Sequence, residues 1–166
     1  MTTEDLTLRP IEDADIEPIH KLLNDSYSQQ LVGGSVAPLS KSQTMAWLQE
    51  KRNAGDVYQF AIESSGEFCG YIQLAATNRI DGNATLGINI LRKFQGKGLG
   101  RIAIQRMHEF AKHRLLLRKI VLYVRSDNNS AIRLYLKLGY QNVGNLAQHV
   151  KTENGYVDLK IMECML

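Results

Sequence analysis

The feature that most constrains this chain is the segment INILRKFQGKGLGRIAI, which sets Gly96, Gly98 and Gly100 between an apolar run and a helix-patterned stretch. A helix start leaves its first backbone N–H groups without partners and carries roughly half a positive charge from the aligned peptide dipoles. Glycine adopts positive φ readily and lets backbone come close to a ligand. A strand, a glycine turn and a helix in that order therefore form either a pyrophosphate cradle or simply a tight turn. Lys97 and Arg101 would add positive charge to the cradle. Two other nucleotide motifs fail on spacing. GxxxxGK[ST] is absent, and the glycines run GxGxG rather than GxGxxG, with no acidic residue about 20 positions on at a strand end.

The flanking pattern predicts the elements around that turn. Leu6 and Leu8 suggest a strand ending at Pro10, and Asp13 can cap a helix over 14–24 that carries Ile16, Ile19, His20 and Leu23. Residues 25–39, with Gly33, Gly34 and Pro38, read as a loop, and Ser40 can cap a helix to about Arg52 with Trp47 and Leu48 inward. Residues 57–63 and 67–76 read as a hairpin closed by Ser64-Ser65-Gly66, and 84–91 as a buried strand after a turn near Gly82. A helix over 98–114 follows, with Ala103, Met107, Phe110 and Ala111 on one stripe. Then come a strand at 119–124, a helix over 128–138 capped by Asp127, and two strands within 140–164 turning near Asn154-Gly155. The order β-α-α-β-β-β-α-β-α-β-β mixes hairpins with crossovers. It implies an α/β (α+β) layered domain with a mixed sheet and helices on both faces.

Composition narrows the function. The 166 residues suit a single domain over 1–166, and 44% hydrophobic residues supply a substantial core. A net charge of +3 fits an anionic ligand but gives no basic patch for nucleic acid. No segment has the make-up of a signal peptide or a membrane span, since Arg118 and Lys119 break the most apolar stretch, Leu115 to Val124. Cys69 and Cys164 form neither a metal spacing nor a disulfide framework, which points to reduced thiols and a cytoplasmic location. There is no metal constellation and no Ser-His-Asp or Cys-His pattern, and His108 and His113 read as solvated.

Gln95-Gly96-Lys97-Gly98-Leu99-Gly100 matches the Q/R-x-x-G-x-G/A signature, and 33 residues after Gln95 the segment NNSAIRLYLKLGY resembles N-x-x-A-x-x-x-Y-x-x-x-G-F, with Tyr140 in the phenylalanine place. On these motifs, in this order and spacing, the chain resembles the GNAT acetyltransferases. The tail HVKTENGYVDLKIMECM is similar to the branch with spermidine, ribosomal-protein and amino-sugar acetyltransferases, although its N-G-Y-V-D is one residue shorter than that branch's hairpin pattern. The resemblance implies a GNAT-like domain with a splayed parallel strand pair, and acetyl-CoA as co-substrate. By position, the backbone of Ile88, Asn89 and Ile90 would hold pantetheine, the amides from Gly96 through Arg101 the pyrophosphate, and Asn128 the CoA arm. Tyr135 would lie near the thioester sulfur as the acid. Without the resemblance, Tyr135 is a packing residue on the stripe Ala131, Leu134, Tyr135 and Leu138.

Amide formation needs a neutral amine, a stabilised oxyanion and a protonated leaving thiolate. A phenol can give a hydrogen bond or a proton to the sulfur. The base is missing: Thr85 and Tyr123 stand where some relatives carry a glutamate. Glu63, Asp81, His149 and Asp158 are the remaining candidates, and each also reads as an ordinary surface or hairpin residue. Deprotonating a lysine-like amine at neutral pH costs roughly 4–5 kcal/mol, and an α-amine only about 1 kcal/mol. The expectation is therefore direct acetyl transfer (EC 2.3.1.-) to a primary amine of a small molecule or peptide, with a preference for an amine of low pKa. The alternative is a catalytically silent CoA-binding module. Relatives often pair through sheet edges or the final hairpin, so a homodimer is allowed. Neither nucleic acid nor membrane is expected as a partner.

Overall fold

The computed structural model describes residues 5–25 and 37–166. Most of the expected loop over 25–39 lies outside the described residues. The element order is the expected one: β1 (Leu6–Arg9), α1 (Ile16–Asn24), α2 (Lys41–Asn53), β2 (Tyr58–Ser64), β3 (Glu67–Asn78), β4 (Asn83–Ile90), α3 (Leu99–His113), β5 (Lys119–Arg125), α4 (Asn129–Lys137), β6 (Gln141–Thr152) and β7 (Gly155–Met165). Turn chemistry fixes the first hairpin. Ser65 and Gly66 both take positive φ, 53° and 74°, the backbone that suits a two-residue link between twisted strands.

The strands form one seven-stranded sheet in the order β1-β2-β3-β4-β5-β7-β6. Every neighbouring pair is antiparallel except β4 and β5, which are parallel. Their pairing covers only Asn83↔Lys119, Ala84↔Ile120 and Thr85↔Val121. Beyond Thr85 the two strands have no shared register, which is the expected splay.

Alternation along the strands sends side chains to two different covers. Ile62, Ile72, Leu74, Ile120, Leu122 and Met162 form the main core with Ala103, Ile104, Met107 and Ala111 of α3 and with α4 residues. Ala61 and Tyr71, on the other face, pack with Ile19 and Leu22 of α1 and Leu48 of α2. At about 25 cal/mol per Å² of apolar surface, burying such side chains contributes roughly 1.5–3 kcal/mol each before entropy.

Two helix caps differ from expectation, the first because the chain opens with a 3-10 turn held by Asp15, the second because arginine takes the aspartate. Asp13 caps nothing. Asp15 accepts from the Glu12 N–H at 2.8 Å and takes a two-pronged contact from Arg9 at 2.7 and 2.9 Å. Residues Asp13–Asp15 thus form a short 3-10 turn, and α1 starts at Ile16. Asp127 is held by Arg125 at 2.9 and 2.5 Å, and Asn128 caps α4 by accepting from the Ala131 N–H at 3.2 Å. Ser40 caps α2 as expected, accepting from the Gln43 N–H at 3.2 Å.

The register also places Gly70 of β3 opposite Ile90 at the end of β4. Gly70 has φ of 156°, and a Cβ there would lie 2.2 Å from the Asn89 carbonyl oxygen and 2.8 Å from the Ile90 Cα. Neither neighbour is a flexible side-chain tip, so the strand itself would have to move. Gly70→Ala is expected to lower folding stability by about 2–4 kcal/mol, measured by urea unfolding. Gly66→Ala, where a Cβ meets nothing within 4 Å, is the milder comparison.

Candidate active site

The gap beside β4 is the first component of the site. The Leu91 N–H donates to the Cys69 carbonyl at 2.9 Å. The pairs Tyr71↔Asn89 and Gln73↔Gly87 keep the same parity. In antiparallel alternation Asn89 therefore turns its N–H and C=O to β3, while Leu86, Ile88 and Ile90 turn theirs to the side where β5 has diverged. Of the three residues expected to offer backbone there, Ile88 and Ile90 do so and Asn89 does not. The Asn89 side chain is buried on the α1–α2 face, across the strand pair from Tyr71. Burial pushes the Tyr71 phenol up to about 12, and the neighbouring Asn89 amide partly offsets it. Tyr71 in turn meets Trp47 edge to face at 5.9 Å.

The glycine turn is the second component. Gly96 and Gly98 take φ of 73° and 81°, so both use glycine's freedom. Gly100 does something else. A Cβ on it would sit 3.3 Å from Ile90 Cδ1 and 3.5 Å from Leu134 Cδ2, so it lets α3 lie close to β4 and α4. Gln95 Nε2 donates to the Ile90 carbonyl at 2.8 Å, tying the turn to the strand end. The amides of Gly96, Lys97, Gly98, Leu99 and Gly100 find no backbone acceptor among the described residues, whereas the Arg101 N–H reaches the Gly98 carbonyl at 3.1 Å. Arg101 can thus offer its guanidinium to the cradle, but its amide is engaged. Lys97 lies 5.5 Å from the Phe94 ring centroid, and neither Lys97 nor Arg101 has an ion pair among the described residues. The helix start is an open, positively polarised set of donors.

The third component is α4. Capping engages Asn128 Oδ1 and leaves Nδ2 to donate elsewhere. Tyr135 is 9% exposed, and its hydroxyl has no hydrogen-bond partner among the described residues. Burial raises its phenol to about 12, so it stays a donor across the physiological range. Its ring lies 5.6 Å from that of Tyr140. The Tyr140 hydroxyl meets His108 Nε2 at 2.8 Å. His108 is therefore half-buried and bonded, not solvated as its place in the helical pattern suggested. The turn after α4, closed by the left-handed Gly139 and the Tyr140 N–H on the Tyr135 carbonyl, brings its partner to it.

The four base candidates are occupied or misplaced. Glu63 accepts from Arg9 Nε at 2.5 Å, and Asp81 from Asn78 Nδ2 at 2.6 Å. Asp158 accepts from the Gln148 N–H at 2.8 Å and Asn145 Nδ2 at 2.7 Å, which hold its carboxyl below the usual range. His149 is exposed on β6, separated from β5 by β7. Thr85 sits at the last paired position of β4, and Tyr123 stands half-exposed on β5.

Comparison with known proteins agrees with this layout. The family model described as Acetyltransferase (GNAT) domain matches residues 5–141. The crystal structure of a Vibrio cholerae spermidine N-acetyltransferase in complex with CoA and spermine superposes with a TM-score of 0.91 at 27% identity, covering 98% of this chain and 96% of that one. The spermidine N(1)-acetyltransferase of Escherichia coli is 28% identical over 95% of this chain and 84% of its own length. An L-methionine sulfoximine/L-methionine sulfone acetyltransferase of Pseudomonas aeruginosa is 24% identical over 92% and 90%.

The turn geometry makes its own prediction. A side chain at Gly98 disfavours its left-handed φ by about 1–2 kcal/mol, which would re-aim the amides on either side. Gly98→Ala is expected to weaken CoA binding about tenfold, read by calorimetry, with the circular dichroism spectrum unchanged. An unaltered affinity would show that these amides do not hold the cofactor.

Proposed function

Because the chain belongs to the GNAT acetyltransferases, enzymes that move an acetyl group from acetyl-CoA to an amine, we propose that the parted strands, the glycine turn and α4 divide that work among named residues. The observation that carries the reading is the loss of β4–β5 pairing after Thr85 in the same strand that runs into a turn with unpartnered amides. The peptide groups of Ile88 hold the pantetheine arm, the Ile90 N–H faces its acyl end, and the amides of Gly96 to Gly100 hold the pyrophosphate. Lys97 and the Arg101 side chain add charge, and Asn128 Nδ2 donates to the CoA arm.

Acetyl-CoA supplies the acyl carbon, which gains a bond to the amine nitrogen and loses its bond to sulfur. A backbone N–H at Ile90 polarises the thioester carbonyl, an effect worth a few kcal/mol when the donor is preorganised. Tyr135 donates to the sulfur as it departs. The proton lost by the amine goes to water, because no carboxylate among the candidates is free to take it.

That last point selects the acceptor. An amine that is largely neutral near pH 7 needs no base, which favours an amino acid, a peptide N-terminus or an amino sugar. The sequence also has no acidic residue between Ser26 and Gln49, the stretch spanning most of the 25–39 segment and most of α2. A polycation bound there would lack counter-charge. The names of the relatives favour a second reading, a polyamine such as spermidine. The same proposal takes 1–166 as a single cytoplasmic domain with buried free thiols at Cys69 and Cys164. Among the described residues no helix is long and apolar enough to cross a membrane. It also allows a homodimer through the exposed edge strand β6, where Val143 and Leu146 reach solvent.

Acetyl-CoA-dependent product formation, read by mass spectrometry across amino acids, N-terminal peptides, amino sugars and polyamines, distinguishes these readings. Acetylated α-amines are expected, and acetylated spermidine with untouched α-amines would overturn the acceptor assignment. The pH profile follows from the groups involved. kcat/KM should rise as the acceptor deprotonates and level off near its pKa. It should not fall until the approach to pH 12, because Tyr135 keeps its proton to about that value. Tyr135→Phe should lower kcat at least about 100-fold while the Kd for acetyl-CoA stays within twofold. A silent CoA-binding module would show that affinity and no product.

A further inference from the structure

Tyr140 stands where the family pattern carries phenylalanine, and its extra hydroxyl is buried: the residue is 1% exposed. A buried hydroxyl without a partner is destabilising. This one has a partner from a different element, His108 of α3, at 2.8 Å. The rings of the two residues lie 5.5 Å apart. Tyr140 is also joined to Tyr135 twice. Its N–H donates to the Tyr135 carbonyl at 3.0 Å across the left-handed Gly139, and its ring lies against the Tyr135 ring. A chain of contacts therefore runs from α3, the helix that begins at the glycine turn, through His108 and Tyr140 to Tyr135.

We propose that His108 is a positioning residue for acetyl transfer: by fixing the Tyr140 hydroxyl it sets the orientation of the Tyr135 ring relative to the cofactor-binding helix. The inference rests on the reading of Tyr135 as the donor to sulfur. His108 does not reach the reacting atoms. It lines an open cleft of about 500 Å³ between α3 and α4, with Gln105, Arg106, Glu109 and Lys137 around it. With a hydrogen-bonding imidazole in place, Tyr140 has one preferred ring orientation. Without it, the hydroxyl must turn towards water in that cleft, and the Tyr135 ring loses its support.

The test is a double-mutant cycle in kcat with Kd for acetyl-CoA and melting temperature measured alongside. His108→Leu is expected to lower kcat about tenfold with the Kd within twofold. His108→Gln, which can still bond the Tyr140 hydroxyl, should recover most of that loss. In the Tyr135→Phe background His108→Leu should change kcat less than twofold, because the hydroxyl it positions is gone. Equal losses for His108→Leu and His108→Gln, or the same tenfold loss in the Tyr135→Phe background, would mean that His108 supports the fold generally and would overturn the proposal. If Tyr135→Phe cripples kcat and His108→Leu does not alter it, the positioning role alone fails. If Tyr135→Phe leaves kcat intact, the donor reading fails and this inference with it.

Discussion

The end of β4–β5 pairing after Thr85 and Val121 is the constraint on which the site depends. Elsewhere the strands satisfy their neighbours over long registers, such as Lys119 to Arg125 of β5 against Leu159 to Met165 of β7. At the divergence the peptide groups of Ile88 and the Ile90 N–H lose their strand partner, while the Ile90 carbonyl accepts from Gln95. Each polar group left unpaired and buried would cost about 1–3 kcal/mol, so the gap persists only if water or a ligand with amide-like groups fills it. A pantetheine arm has such groups. In the proposed reading the splay is thus a defect of the sheet that serves as a binding edge for an extended molecule.

Gly70 keeps that edge in place. The Asn89 backbone approaches it too closely for any Cβ, and the Leu91 N–H closes onto Cys69 just beyond. Gln95 then ties the turn back to the Ile90 carbonyl, so the gap and the phosphate cradle are fixed to each other at their junction. Gly100 completes the arrangement by letting α3 lie against Ile90 and Leu134. The three glycines of one short motif therefore serve two different ends, backbone conformation at Gly96 and Gly98, and close packing at Gly100.

Much of this was legible in the sequence, and the rest was hidden for identifiable reasons. The element order followed from periodicity and turn residues, which are local. The cap at Asp127 is hidden because Arg125 competes for the aspartate, and a carboxylate facing a guanidinium is stabilised more than one facing an N–H alone; the start of α1 is hidden because Asp15, not Asp13, closes the turn before it. Asn89 was placed with Ile88 and Ile90 because a motif marks positions but not strand parity. Gly70 carried no signal, since its need for glycine arises from a residue 20 positions away in another strand. The burial of His108 is hidden for the same kind of reason: a helical stripe shows which residues share a face, but not that the turn after α4 delivers the Tyr140 hydroxyl to its edge.

The raised pKa of Tyr135 bears on how it would act in the proposed transfer. A phenol near 12 facing a thiolate of ordinary pKa, about 8.5, would transfer its proton uphill by about 5 kcal/mol. Tyr135 is therefore poor at giving its proton away and well suited to donating a hydrogen bond that strengthens as charge builds on sulfur. The burial that disfavours a phenolate disfavours a thiolate beside it too, as the raised thiols of Cys69 and Cys164 illustrate elsewhere in the fold. The difference between donor and acceptor thus narrows when both share the dry side of α4. What matters is then the alignment of the O–H rather than its acidity. A group whose contribution depends on direction needs a rigid support, and the tyrosine beneath it, held at both its amide and its hydroxyl, provides one.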